Sequence, residues 1–337
     1  MNPRERLTSV LNGNPVDQTP VMVPGGLIIM CPREVFEAGG VSQEHVHSSP
    51  EGLSALSIAM SELAGIDNLG LPFTMTVESE AYGGETETRS GCSASVEYEY
   101  PLNDISDFTR LESPLLCKGS RLPVAIEAIG LLRDRGSSFP IIGDLVGPFS
   151  LATSLIDEAI LLKATLKSPC LVHDFLGFLV QNSIDYLKAL GTAGADVFFI
   201  TEPALRPELF GHSWFEEFSL PYMNRFVNAS HALGAKAIVH VCGAMSALKP
   251  ALAGLKADCL SIDSCVSIKD GLQAFDGRPI AGNICAGLLE KGSSAVVAAA
   301  AKNTIRHGAS IVMPSCGLTG LARVENLRAM RGWPHYF

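Results

Sequence analysis

The chain has 337 residues, 47% of them apolar and only 18% charged, with a formal net charge of -10, so it can bury a sizeable core and disorder is not expected. An acidic chain without a Lys/Arg-rich block lacks the clustered cations that phosphate binding requires, which argues against nucleic acid as a partner. The start at Met1-Asn2-Pro3-Arg4-Glu5-Arg6 becomes charged too soon for a secretory signal, and no later run approaches the roughly 20 apolar residues of a spanning helix, so a soluble, cytoplasmic protein with no membrane association is expected.

In chain order, short apolar runs punctuated by Gly or Pro alternate with helix-period segments, the pattern of βα units and a mainly parallel sheet. Strands are predicted at 21–23, 66–71, 140–145, 196–201, 237–242, 259–263, 280–284 and 310–315. Helices are predicted at 50–64, 122–135, 171–190, 214–233 and 294–307, the last capped by Ser293 or Ser294 and ended before Gly308. Between the second and third strands, the segment 76–100 carries Gly83-Gly84 and alternating Thr86, Thr88, Val96, Tyr98 and Tyr100, which reads as an inserted β-hairpin. Eight such units closing on themselves define a (β/α)8 TIM barrel, here one α/β domain over 1–337 with an N-terminal extension and an insertion at about 73–101. A doubly wound open sheet is the runner-up, but Pro24-Gly25-Gly26 is too little for a nucleotide loop.

Barrel chemistry gathers where strands finish. Asp144, Glu202, His240, Cys242, Asp263, Asn283 and Cys316 all fall at such ends. In His240-Val241-Cys242 the strand alternation turns the imidazole and the thiol to one face. A third ligand, Cys316, reached across the mouth completes a His-Cys-Cys set with one open position, the composition of a catalytic zinc site. The competing reading is a buried histidine beside core cysteines. The nine cysteines, scattered from Cys31 to Cys316, suit reduced thiols rather than a disulfide framework. Cys259 reads as a buried thiol, Cys31, Cys92, Cys117, Cys170, Cys265 and Cys285 receive no role, and His45 and His47 are expected at the surface.

The pieces Arg4-Glu5-Arg6-Leu7, Asp17-Gln18-Thr19-Pro20-Val21, Gly147-Pro148-Phe149-Ser150-Leu151-Ala152 and Gly194-Ala195-Asp196 recur in a specific order. Leu220-Pro221-Tyr222, His240-Val241-Cys242-Gly243, Gly282-Asn283-Ile284, Cys316-Gly317 and Glu325-Asn326-Leu327 continue it. In that order and spacing the chain resembles the uroporphyrinogen decarboxylase superfamily, and more closely its zinc methyltransferase branch of methylcobamide:coenzyme M methyltransferases. The resemblance implies Zn2+ on His240, Cys242 and Cys316, with Asp263 matching an acidic residue that approaches the metal when substrate is absent; a hydrogen bond at the barrel mouth is the other role open to Asp263. The decarboxylase branch carries an Arg-rich stretch after the first strand, whereas this chain has apolar residues at 24–30, which cannot neutralise tetrapyrrole carboxylates.

The expected reaction moves a methyl group from a methylated corrinoid (methylcobamide) to a thiol activated at the metal, such as coenzyme M, with homocysteine or tetrahydrofolate as other acceptors. A metal-free decarboxylase and a corrinoid-binding partner whose zinc only stiffens a loop are the rivals. The resemblance implies that the corrinoid rides on a separate small protein that docks over the mouth, with 76–100 either part of that surface or a capping flap; the sequence itself has no corrinoid-ligating Asp-x-His-x-x-Gly pattern. Met30, Met75, Phe149 and Asn283 are the candidate cofactor contacts. Asp144 and Glu202 are candidates for orienting substrate, for bonding to the metal-binding histidine, or for capping a helix.

Overall fold

A computed structural model describes residues 1–25, 31–42, 46–86, 98–115, 119–206 and 210–332. The strands are β1 (Leu69–Leu71), β2 (Glu85–Thr86), β3 (Tyr98–Glu99), β4 (Ile141–Val146), β5 (Val197–Glu202), β6 (Lys236–Val241), β7 (Cys259–Ile262) and β8 (Ile280–Ala281). Six of them form a parallel sheet in the order β1-β4-β5-β6-β7-β8. Parallel bridges carry the ladder from Ala281 to Ile311, from Ile284 to Pro314 and from Val312 to Val21. Val21 then meets the start of β1, because its carbonyl accepts from the Asp67 amide at 2.7 Å. The buried Asn68 side chain bonds both to the amide of Val23 (2.9 Å) and to its carbonyl (2.8 Å), standing in for backbone pairing. The ring closes as the TIM barrel expected from the eight runs.

Closure depends on close backbone approach at one seam. A Cβ on Gly70 would lie 1.6 Å from the Pro24 carbonyl oxygen, so only glycine fits there.

The helical layer follows local signals. The helix Pro50–Ala64 has the expected bounds: the Ser49 side chain accepts from Gly52 N and Gly65 ends it in the left-handed region at φ 64°. The helices Leu122–Asp134, Pro169–Ala193 and Ser294–Arg306 also form, the last capped by Ser293. The expected helix 214–233 is instead two, His212–Phe218 and Leu220–Ala232. Pro221 has no N–H to continue the first helix, and Ser219 leaves helical geometry at φ -122°.

The insertion is also only partly as expected. Its first residues, Thr76–Glu80, are helical. The turn brings Thr76 Oγ1 to Glu80 Oε1 (2.7 Å), and Arg121 grips the same carboxylate with Nε at 2.8 Å and Nη2 at 2.6 Å. Antiparallel pairing follows, Glu85 with Glu99 and Thr86 with Tyr98; Thr88, Val96 and the tip between them lie outside the described residues.

Candidate metal centre

β6 is buried from Ala237 to Val241, and its register pairs His240 with Thr201 of β5 and Ser261 of β7. Residues paired across a parallel sheet share a face. Gly143 on β4 lies against Leu190 of the helical layer, so by alternation Asp144, Thr201, His240 and Ser261 face the barrel interior. Cys242 follows β6 directly, and Gly243 turns the chain in the left-handed region at φ 76°. Cys316 is delivered from the opposite side of the ring, where Ser315 N donates to the Ile284 carbonyl at 2.8 Å.

These elements bring the three expected ligands together. His240 Nε2 lies 3.1 Å from Cys242 Sγ, and Cys242 Sγ lies 3.6 Å from Cys316 Sγ. Their donor atoms all fall within 4.8 Å of one another, the one such group of His, Cys, Asp or Glu found among the described residues. A tetrahedral zinc ion with bonds of about 2.3 Å to sulfur and about 2.05 Å to nitrogen needs sulfurs about 3.8 Å apart and nitrogen about 3.6 Å from sulfur. The His240–Cys242 and Cys242–Cys316 separations lie within about 0.5 Å of those values, and the third pair within 4.8 Å.

The electrostatics agree with a cation-binding role. The hydrogen bond from Cys242 holds the Cys316 thiol below its ordinary range despite burial, with His240 and the Gly317 amide adding to it. Cys242, bonded to that thiolate and itself partly buried, is pushed up and keeps the proton. A divalent cation held by these residues would replace that proton and draw both sulfurs into the thiolate form.

Around the trio, the remaining candidates occupy distinct positions. Asp263 accepts from Gly243 N (3.2 Å), Cys265 N (3.1 Å) and Ser264 Oγ (3.2 Å). Burial pushes its carboxyl up, but the donors from Cys265, Gly243 and Ser264 outweigh it and the net shift is downward. Asn283 donates to the carbonyls of Asp263 (3.1 Å) and Val266 (2.6 Å), tying two rim loops together. Glu202 follows Thr201 by one residue and so faces the helices; its Oε1 accepts from Phe149 N (2.8 Å) and Ser150 N (3.2 Å) at the start of the helix Pro148–Leu155. Burial raises its carboxyl to about 8 in spite of those donors. Asp144 faces inward one layer below His240, where Thr201 Oγ1 donates to it at 3.5 Å. Burial, followed by the nearby Glu78, raises Asp144 well above the carboxylate range.

Phe149 is fully buried, edge-on to Trp214 at 4.7 Å and Phe210 at 5.4 Å. Met75 is half-buried before the Thr76–Glu80 helix, and Met30 lies outside the described residues, as do His45, Cys92 and Cys117. His47 departs from the surface placement expected of it: burial drives its imidazole down to about 4, assisted by Arg121. Cys259 is buried as expected.

Two residues at the barrel end escaped the sequence reading. Ser261 Oγ lies 2.9 Å from His240 Nδ1; the period of two already set it on the inner face of its strand. Glu78 accepts from Val146 N (2.7 Å) and Ser183 Oγ (3.1 Å), with burial raising it to about 7. Reading 76–100 as a hairpin hid it.

With the barrel and trio in place, comparison with known proteins is specific. The chain belongs to the uroporphyrinogen decarboxylase (URO-D) family, whose model matches residues 2–335. Within that class it is similar to the methylcobamide:CoM methyltransferase MtaA of Methanosarcina barkeri, 29% identical over 335 residues that cover 97% of this chain and 96% of the relative. It is also similar to the methylcobamide:CoM methyltransferase MtbA of Methanosarcina acetivorans, 27% identical over 330 residues with the same coverage. A solved methyltransferase structure from Methanosarcina mazei superposes with a TM-score of 0.84 at 27% identity, over 98% of this chain and 97% of that one.

Proposed function

We propose that this protein is a zinc-dependent methyltransferase that moves a methyl group from a methylated corrinoid to a thiol such as coenzyme M. The observation that carries the proposal is the convergence of His240 Nε2, Cys242 Sγ and Cys316 Sγ within 4.8 Å at the interior end of the barrel. The full-length similarity to proteins named methylcobamide:CoM methyltransferases supports the donor and the acceptor class.

In this reading His240, Cys242 and Cys316 hold the ion, leaving one tetrahedral position for the acceptor. Zinc bound there lowers the acceptor thiol's pKa, supplying a sulfur nucleophile at neutral pH. Asp263, bonded to the residue after Cys242, is the carboxylate assigned to approach that position when no acceptor is bound. Glu202 acts on the site at a distance, by fixing the start of the helix Pro148–Leu155. Asp144 is assigned to orient the acceptor from the barrel interior. Met30, Met75 and Asn283 are assigned to the corrinoid side, whereas Phe149, fully buried against Trp214 and Phe210, serves core packing.

The corrinoid is carried on a separate small protein that docks over the mouth, partly on the 76–100 insertion. No helix among the described residues is long and apolar enough to cross a membrane, and the proposal places the protein in the cytoplasm as one barrel domain.

The test pairs metal analysis with a spectroscopic assay. Purified protein is expected to hold about one zinc per chain and to demethylate methylcobalamin when coenzyme M is added, with homocysteine and tetrahydrofolate tested in parallel. Cys242→Ala should lose both the zinc and the activity. Methyl transfer that survives loss of the metal, or release of carbon dioxide from uroporphyrinogen by the metal-free protein, overturns the reading.

A further inference from the structure

The metal proposal needs His240 to present Nε2, and not a ring carbon, to two sulfurs. The ring is fully buried, stacked on Phe199 with centroids 6.3 Å apart and planes 20° from parallel. Stacking fixes the plane of an imidazole but does not distinguish it from the same ring turned half a revolution about Cβ–Cγ, because the two outlines coincide. That turn exchanges Nδ1 with a carbon and Nε2 with a carbon. Besides the contacts of Nε2 with the sulfurs themselves, a directional contact at Nδ1 distinguishes the two.

We infer that Ser261 is the positioning residue for the metal centre: its Oγ, 2.9 Å from His240 Nδ1, selects the ring orientation and the tautomer that aim the Nε2 lone pair at Cys242 and Cys316. The inference rests on the metal-binding reading above and concerns how that site is prepared. A neutral imidazole has one donor and one acceptor nitrogen, so a proton held on Nδ1 against the serine oxygen leaves Nε2 free to ligate.

The fold explains why a serine does this. β7 is buried throughout, and Ser261 itself has no exposed surface, so its hydroxyl is costly there unless bonded. Register places Ser261 directly beside His240 on the adjacent strand, at the usual spacing of about 4.8 Å, which a short hydroxyl side chain spans and a carboxylate or amide overshoots. The other neighbour at that level, Thr201, turns its hydroxyl toward Asp144 instead. Glu202 faces the helices, and Asp144 sits a layer lower, so among these polar neighbours the Nδ1 contact falls to Ser261.

The experiment measures zinc affinity by competition with a chromophoric chelator, alongside the visible spectrum of the cobalt(II)-loaded protein and the unfolding midpoint of the metal-free protein. Wild type is compared with Ser261→Ala, and Ser261→Thr with Ser261→Val, a pair of nearly equal volume that differs in the hydroxyl. Ser261→Ala and Ser261→Val should lose roughly 10–100-fold in zinc affinity and show an altered cobalt ligand field, while Ser261→Thr stays close to wild type. Metal-free midpoints should not track the affinity loss. Equal affinities for the Thr and Val variants overturn the inference, as does a Ser261→Ala protein that binds zinc as tightly as wild type. Wild type that binds no zinc fails at the earlier step, sinking the metal reading and with it the role of Ser261.

Discussion

Glu202→Gln isolates the energetic consequence of burying a carboxyl at the head of the helix Pro148–Leu155. The folded protein holds Glu202 neutral up to about pH 8, whereas the ordinary value is 4.5. A group with a raised folded pKa contributes fully below its unfolded value and loses that contribution as pH climbs toward the folded one. Between about pH 4.5 and 8, wild type should therefore lose stability relative to the glutamine variant by about 1.4 kcal/mol per pH unit. From pH 5 to pH 7 the difference is about 2.7 kcal/mol, or about 4 °C in unfolding temperature for a chain of this size. Glutamine keeps the oxygen that accepts from Phe149 and Ser150, so the helix start is preserved. Urea unfolding of both proteins at pH 5, 6, 7 and 8 with chelator present measures this directly. Glu78 and Asp144 titrate alike in both proteins, so their contributions cancel in the difference. Parallel stability curves for the two proteins across that range would falsify the placement of a neutral Glu202 against the Phe149 amide.

Gly70→Ala puts a Cβ 1.6 Å from the Pro24 carbonyl, and should cost at least about 3 kcal/mol by forcing the barrel seam apart; a thermal midpoint near wild type contradicts the closure described. Asn283→Ala removes the donors to Asp263 and Val266, and should destabilise by about 1–3 kcal/mol, with faster proteolysis at the loop after β7; unchanged cleavage argues that Asn283 does not tie the rim loops.

Much of the site was legible because its signals are local. A period of two puts His240 and Cys242 on one face without reference to any other segment. The helix Pro50–Ala64 carries its own cap and its own glycine stop. Polar residues at successive strand ends marked one end of a barrel once the strands were counted. The sequence by itself therefore determined the succession of barrel strands and the shared face of two of the three proposed ligands. That Cys316 meets them was expected from barrel closure and a resemblance, not from spacing.

Only the tertiary structure decided what depends on register between strands, which no single segment encodes. Ser261 was already on the inner face of its strand, yet the level at which β7 lies against β6 is what sets its hydroxyl on His240 rather than a residue away. Glu202 ends β5 whereas Asp144, expected at a strand end, lies inside β4, and alternation sends the first to a helix start and the second into the interior. Arg121, 41 residues beyond Glu80, closes on the carboxylate at the end of the helical Thr76–Glu80 turn. Each of these outcomes turns on contacts between segments far apart in sequence, where closure of the barrel, not local propensity, sets the geometry.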